Sequence, residues 1–566
     1  MKRPRLILLF FLLLLVVLGC WLWWMRPTKV DLANYAPADS LLYIEANEPV
    51  DVMDAVYGTE AWKAFEQAGG PPPSPHSPWL HALVRWTGLG PINSVILARA
   101  QVAAVVTDLR AAEEGDTLKI KSEGALIVET HTAENRIKAP FEAALKTLAE
   151  KTYDNPTPRT ARIDGVEFNE WIAADGSRQI VGAVLGSLIV IGTSERVVRD
   201  CLAVSQGRRS SLKNDPGLQA MRLQLESGKA LTFGYVPTGN SGKLLGVGVP
   251  LLMGRAPGDS EFQRLISNGA SKVFGSLGWT SRSYLTGVED RYLISLQPSV
   301  IARLKPSFAS NNINPRLQRI VPNGAYSVTI YKFDNPEAAW LSLKTAVSSQ
   351  VDSLSAIVFS SLLKSALLSY GIDDPDTFLK AVDGELLTLR LDENAERSVL
   401  IASVLDRVAI RQLIAKQMSQ RTSSASPEIF EDATGEFAAS LSDELIVIGS
   451  PADVRHYFAT KDNPGALTNA DNPRRMTLFA SATSAPNVIT YTDDSDRVRS
   501  FVAAILTAKG GLTRTVQIED SIAKLPYSIT ETTLSDRGIE RTTRSPLGQF
   551  SSLLPLLFPQ QPTTNK

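Results

Sequence analysis

Leu188-Ile189-Val190-Ile191-Gly192 recurs unchanged as Leu445-Ile446-Val447-Ile448-Gly449. Each copy reads as a strand that ends in a polar break and leads into an amphipathic segment. In the first copy Thr193-Ser194 supplies the break, with Ser194 as N-cap and Glu195 and Arg196 in the first helical turn. Val197, Val198, Cys201 and Leu202 then form an apolar stripe. In the second copy Ser450-Pro451-Ala452-Asp453 does the same, with proline at the first helical position. Val454, Tyr457 and Phe458 provide its stripe. Strand, cap and helix agree through different residues, which points to a repeated structure rather than to repeated letters.

Collinear partners extend the repeat. Pro37-Ala38-Asp39-Ser40-Leu41-Leu42-Tyr43-Ile44 resembles Pro322-Asn323-Gly324-Ala325-Tyr326-Ser327-Val328-Thr329. Ala125-Leu126-Ile127-Val128 resembles Val399-Leu400-Ile401-Ala402, and each leads into a helical pattern, Ala139–Ala149 and Val408–Met418. After the pentapeptides, Leu212 and Asp215-Pro216 find echoes in Leu467 and Asn472-Pro473. Gly278-Trp279-Thr280-Ser281-Arg282 is matched with Pro526-Tyr527-Ser528-Ile529-Thr530. The separation between partners only shortens along the chain, as a second copy with trimmed loops requires. The period is far too long for a solenoid or a propeller blade. Tandem domains and two halves of one pseudo-symmetric body are the two options.

Leu6–Met25 is twenty residues without a charge or a proline. At about 1.5 Å per residue such a run spans a hydrocarbon core of about 30 Å. Lys2, Arg3 and Arg5 precede it, Trp21, Trp23 and Trp24 stand at its far end, and Arg26 and Lys29 follow. The pattern predicts a single-pass anchor in the inner (cytoplasmic) membrane, with the N-terminus cytoplasmic and the body periplasmic. Val17-Leu18-Gly19-Cys20 loosely resembles a lipobox, so cleavage, or lipidation at Cys20, is the rival. Ser355–Leu368 is apolar too, but Lys364 interrupts it, and it reads as a buried amphipathic helix.

The 58 basic and 59 acidic residues balance, so charge gives no argument for nucleic acid. Of two cysteines, Cys20 lies in the anchor, so no disulfide forms within the body; Cys201 reads as a packing position. A helix is expected over Val52–Ala68, then a stiff loop at Pro71-Pro72-Pro73-Ser74-Pro75. Ser94–Val106 and Thr117–His131 read as β-rich. The runs Gly165–Ile172 and Gln179–Val184 flank a hairpin turn at Ala174-Asp175-Gly176-Ser177. Ala270–Ser299 and Thr513–Arg544 are long β-like stretches. The segment Gly239–Gln263 has no clear counterpart in the second copy.

No catalytic, cofactor or metal residues emerge. His76, His81, His131 and His456 lack partners at ligand spacing. Thr238-Gly239-Asn240-Ser241-Gly242-Lys243-Leu244 fails as a phosphate loop, with Pro237 at the first glycine and Leu244 in place of the hydroxyl. Asp373, Asp374 and Asp376 around Pro375 read as a solvated turn, with a weak calcium site as the alternative.

Tyr35–Ala46, Gly384–Leu413, both pentapeptide blocks and Ser211–Pro216 together resemble a bacterial family described as domain of unknown function 3352. The resemblance implies an exported α+β protein with one N-terminal anchor, and it brings no site residues. The expected layout is an anchor over 1–26, a linker over 27–34, α+β repeats over 35–310 and 311–558, and a disordered tail over 559–566. Each repeat is expected to be a largely antiparallel sheet with helices on one face. The function expected is a non-enzymatic, membrane-anchored scaffold or binding protein of the cell envelope, its partners envelope proteins or an apolar ligand. An envelope hydrolase using dispersed Asp/Glu, or a hydrophobe carrier with a cavity between the repeats, is the alternative.

Overall fold

The computed structural model describes residues 29–46, 48–67, 90–114, 117–153, 155–252, 260–285, 287–308, 321–322, 325–351, 353–394, 396–421, 427–460, 486–508 and 516–551. The first half contributes β1 (Leu42–Ala46), β2 (Gln101–Glu114), β3 (Thr117–Glu129), β4 (Thr157–Ile163), β5 (Val166–Ile172), β6 (Gln179–Leu185), β7 (Leu188–Gly192), β8 (Thr232–Val236), β9 (Phe274–Tyr284) and β10 (Gly287–Leu296). The second contributes β11 (Ser327–Lys332), β12 (Val382–Arg390), β13 (Ser398–Val404), β14 (Met418–Gln420), β15 (Glu428–Asp432), β16 (Ala438–Leu441), β17 (Leu445–Gly449), β18 (Val488–Thr492), β19 (Ser528–Ser535) and β20 (Gly538–Ser545).

All twenty strands of the described residues join one sheet. The first half runs β4-β5-β6-β7-β3-β2-β1-β8-β9-β10, and every neighbouring pair is antiparallel. The second half repeats that order as β14-β15-β16-β17-β13-β12-β11-β18-β19-β20. The last strands of the two halves, β10 and β20, pair antiparallel and close the gap. Such a joint relates the halves by a pseudo-two-fold axis and leaves the outer strands β4 and β14 as the two edges.

The register matches as well as the order. Tyr43 pairs with Val105, Val105 with Ala125 and Ala125 with Gly192. In the second half Val328 pairs with Leu389, Leu389 with Val399 and Val399 with Gly449. On the other side Tyr235 and Tyr491 hold the same position beside Tyr43 and Val328. Gly278 pairs with Tyr235, and Ile529 pairs with Tyr491. The counterpart of Gly278 is therefore Ile529, not Pro526. An alternating Thr/Ser/apolar strand carries no landmark that fixes register, and an odd slip there turns every side chain to the opposite face.

The expected fold class needs three corrections. The halves do not form two separate sheets but share one. Helices cover both faces rather than one. Val190 and Ile127 pack against Val197, Cys201 and Leu202 of the helix Glu195–Ser205. Ile189 and Val128 point the other way, against Phe141 and Leu145 of the helix Glu134–Thr152. This accounts for the pentapeptide itself: a strand covered on both faces is apolar at consecutive positions, not at alternate ones. In β17, Val447 packs with Val454 and Tyr457 on one face, while Ile446 and Ile448 pack with Ile410, Leu413 and Ile414 on the other.

The third correction concerns the membrane. Among the described residues no helix is long and apolar enough to cross one. The longest, Glu134–Thr152, buries Ile137, Phe141, Leu145 and Ala149 and carries charges between them. The expected anchor, Leu6–Met25, lies outside the described residues, and neither the transmembrane helix nor the single-pass location it implied is part of the fold found here. The Pro71–Pro75 loop, the Leu467 and Asn472-Pro473 echoes and the tail over 559–566 also lie outside them.

Local signals explain most elements. Ser194 Oγ accepts from Val197 N (3.4 Å), and Ser450 Oγ accepts from Asp453 N (3.1 Å). Asp374 caps the helix Pro375–Ala381, taking hydrogen bonds from the Thr377 amide (3.1 Å) and hydroxyl (2.7 Å), and Asp376 meets Lys344. The acidic cluster around Pro375 is thus a helix start. Residues 32–34, assigned to a linker, form a 3-10 turn with Leu32 and Ala33 in the core. Ser94–Ala98 belongs to the helix Pro91–Ala98 rather than to a strand, and Val516–Ala523 is helical too, its Ile518 and Ile522 buried four residues apart. The helices Asn240–Leu252 and Ser260–Val273 lie between β8 and β9, where the second half places Ser495–Ala508 and Val516–Ala523. The segment read as an insertion therefore has a counterpart, disguised by a different composition.

Apolar side chains of both halves meet at the seam, as Trp62 with Phe501 and Val300 with Ala346 and Val347, but the β10–β20 pairing itself carries buried charge. Arg544 on β20 donates to Glu289 on β10 (3.0 Å) and to Glu531 on β19 (3.1 Å), and all three are buried. On the opposite face Asp290 accepts from Ser281 Oγ and from Gln549 N (3.0 Å), and burial pushes its carboxyl up to about 6.

Candidate functional site

An almost wholly apolar concavity lies within the first half, not between the halves. Its volume is about 280 Å³. Val102 of β2, Leu126 and Val128 of β3, and Ile189 and Ile191 of β7 make its floor. Ile137, Pro140, Phe141, Ala144, Leu145 and Leu148 of the helix Glu134–Thr152 make one wall. Ile96 and Leu97 of the helix Pro91–Ala98, together with Pro49, make the other.

The sequence builds these walls by period. Val102, Leu126, Val128, Ile189 and Ile191 fall at alternate positions of antiparallel neighbours, so they share one sheet face. Ile137, Phe141, Leu145 and Leu148 recur at three- and four-residue steps and share one side of the helix. Pro140 sits inside that helix, where it removes one backbone donor. Gly182 of β6 lets the helix come close. A Cβ there would stand 2.6 Å from Phe141 Cζ and 2.7 Å from Leu145 Cδ2.

Among the described residues no ionisable side chain lines this pocket, and they offer it neither a general base nor a carboxylate, thiol or amine nucleophile. Asn93 and Thr130 border it, but the surface it exposes is almost wholly apolar. Thr130 leads into a buried polar network at the end of β3. Tyr35 Oη donates to Glu129 Oε2 (3.1 Å), and His131 N donates to Glu129 Oε1 (2.9 Å). Burial, and then the charge of Glu129, pushes the Tyr35 phenol up to about 12. His131 adopts a positive φ of 52° and its Nε2 lies 3.1 Å from Gln101 Oε1. Gln101 in turn holds both the N–H (2.7 Å) and the C=O (2.9 Å) of Val30. The network is a clamp on the start of the described chain. Its groups satisfy one another and leave none directed into the pocket.

The other residues singled out from sequence do not converge. Cys201 is fully buried and burial pushes its thiol up to about 12, which suits packing rather than reaction. His456 is exposed on the helix Pro451–Thr460. Asn240, within the rejected phosphate-loop motif, starts a helix and donates to Ser40 O (3.1 Å). His76 and His81 lie outside the described residues. Sequence reasoning named none of the pocket residues as a site. The available signal was the amphipathic stripe on Glu134–Thr152, which reads identically whether it packs against protein or lines a cavity. No family model, no curated protein and no solved structure matches the chain.

Proposed function

We propose that this chain is a non-enzymatic binding protein that takes a small apolar ligand into the first-half pocket. One observation carries the reading. Leu126 and Leu400 hold the same register position in the two halves, yet Leu126 is 39% exposed and Leu400 only 3%. The second half fills this face with its own side chains and the first leaves room. A volume of about 280 Å³ is close to twice that of an engineered cavity of ~150 Å³ that takes up benzene. The carrier alternative read from sequence placed its cavity between the repeats. At the β10–β20 pairing stand Glu289, Arg544 and Glu531 instead, and the apolar concavity of the first half is the better support for an apolar ligand.

Titration with the neutral fluorophore N-phenyl-1-naphthylamine tests the reading. One molecule is expected to bind per chain, with enhanced fluorescence. Ala144→Phe places a ring in the cavity and is expected to abolish the signal while the circular dichroism spectrum stays unchanged. Equal binding by the folded variant would refute the site.

A further inference from the structure

Asp290 on β10 is a buried acid that no cation neutralises among the described residues. Its carboxyl accepts from two neutral donors, Ser281 Oγ on β9 and Gln549 N (3.0 Å). The charges that bear on it are both negative: Glu289, its neighbour in the chain, and Asp494, just ahead of the helix Ser495–Ala508. The nearby cations are engaged elsewhere. Arg497 pairs with Asp494 (3.3 Å), Arg541 lies over the Tyr292 ring (5.8 Å), and Arg544 meets Glu289 and Glu531 on the opposite face. An ionised carboxylate so enclosed has lost its water and gained no counter-charge, which is costly. The protonated acid gives up neither contact, because Ser281 Oγ can accept as well as donate and the second carboxyl oxygen still accepts from Gln549 N.

Asp290 belongs to the first half, and Gln549 to the turn over 546–550 that follows β20 in the second. Gly548, at a φ of 57°, brings that turn's backbone onto β10. A Cβ there would stand 2.5 Å from Val288 Cγ1 and 2.8 Å from Asp290 Oδ2. Leu547 and Phe550, on either side, enter the apolar cluster that joins Trp62 and Val288 of the first half to Phe501 and Ile518 of the second. The flanking strands β9 and β20 are tied to β10 by continuous backbone pairing, whereas the turn meets Asp290 through one amide. Lifting the turn is therefore the smallest change that hydrates the carboxylate. We infer that Asp290 is a proton-operated latch between the halves: neutral, it seats the turn over 546–550 on β10, and ionised, it loosens that turn and the apolar cluster beneath it. The direction follows from burial, which raises this carboxyl from the ordinary carboxylate range to about 6. The closed form holds the proton more tightly than the opened one. Closure is thus firmest below the ordinary carboxylate value, weakens as the pH climbs to about 6, and stays weak above it.

Amide hydrogen exchange over residues 546–551 of the full chain, corrected for the intrinsic rate at each pH, reads the latch. Protection is expected to be about tenfold lower at pH 7.5 than at pH 5. Asp290→Asn imitates the neutral acid toward both partners and is expected to keep the pH 5 protection at both values. Ser281→Ala removes a donor that favours the charged form, so the loss should set in at higher pH; this variant serves if Asp290→Asn does not fold. Asp494→Asn is expected to retain most of the loss. Equal protection of the parent chain at the two pH values overturns the latch. So does a tenfold loss that persists in folded Asp290→Asn, an unmoved midpoint in Ser281→Ala, or a loss that vanishes in Asp494→Asn.

Discussion

Leu126 and Leu400 stand beside equivalent isoleucines, Ile191 and Ile448, in strands of identical order and register. The sheet is the same in both halves, so the difference in their exposure comes from what lies on top. In the second half the helix Pro375–Ala381 inserts Phe378 and Leu379, and Trp340 and Phe437 pack around them. In the first half the corresponding segment before β2 is the helix Pro91–Ala98, whose Ile96 and Leu97 line the cavity without filling it. A duplicated scaffold has kept its strands and changed its covering helices. One half closes on itself, and the other keeps room for a guest.

The largest expected effect lies at the joint, where the comparison breaks down. By register, Arg544 on β20 is the counterpart of Leu293 on β10, since they follow Tyr491–Ile529 and Tyr235–Gly278 respectively. Leu293 belongs to the first-half core, whereas Arg544 neutralises Glu289 and Glu531 across the seam. Arg544→Met removes the guanidinium that bridges two buried carboxylates, Glu289, which keeps Arg291 (2.7 Å), and Glu531. The expected loss is about 3–5 kcal/mol in denaturant unfolding. Replacing Glu289 and Glu531 by Leu in the same chain should recover most of it. A loss below about 1 kcal/mol for Arg544→Met would mean that the charged cluster is wet and that the backbone pairing and the apolar contacts alone couple the halves.

The next effect sharpens the contrast between the filled and unfilled faces. Phe378 is 1% exposed within the second-half cluster, so Phe378→Ala is expected to cost about 3–5 kcal/mol and leave a cavity. Phe141 already borders an open volume, and its ring has fewer neighbours to lose. Phe141→Ala should therefore cost less, about 2 kcal/mol. Only Phe378→Ala should gain a second binding site for N-phenyl-1-naphthylamine. Equal losses in the two variants would show that the first-half pocket is as tightly packed as the second-half core.

The sequence made the repeat legible because strands buried on both faces are apolar throughout, and such runs survive as letters. It made the caps legible at Ser194 and Ser450, since a helix start needs a side-chain acceptor whatever follows. The single sheet was not legible. Whether β10 pairs with β20 or faces water depends on partners several hundred residues away, and Arg544 reads in isolation as a surface residue. The helices on the second face were hidden for a related reason: the helix Val516–Ala523 is rich in β-branched residues, and tertiary packing overrode local preference. The cavity was least legible of all. A hole is a relation between side chains, and Phe141 looks alike beside a void or a neighbour.

The smallest effect exchanges one atom between the halves. Gly182 on β6 pairs with Ile191, and Ala439 on β16 pairs with Ile448, so the two positions are equivalent. Ala439 is fully buried and accommodated, while a methyl at Gly182 would press on Phe141 and Leu145. These two side chains can yield only toward the cavity. Gly182→Ala is therefore expected to cost about 1–3 kcal/mol and to weaken N-phenyl-1-naphthylamine binding by pushing the helix Glu134–Thr152 into the ligand's space. Ala439→Gly should cost about 1 kcal/mol from backbone freedom and a lost methyl, with no change in binding. If Gly182→Ala weakens stability and binding together while Ala439→Gly touches only stability, the open face depends on that glycine's allowing the helix to sit close. If instead the fluorophore binds Gly182→Ala as it binds the parent chain, the cavity does not depend on where Phe141 and Leu145 stand. The helix Pro91–Ala98 then has to be the element that holds it open.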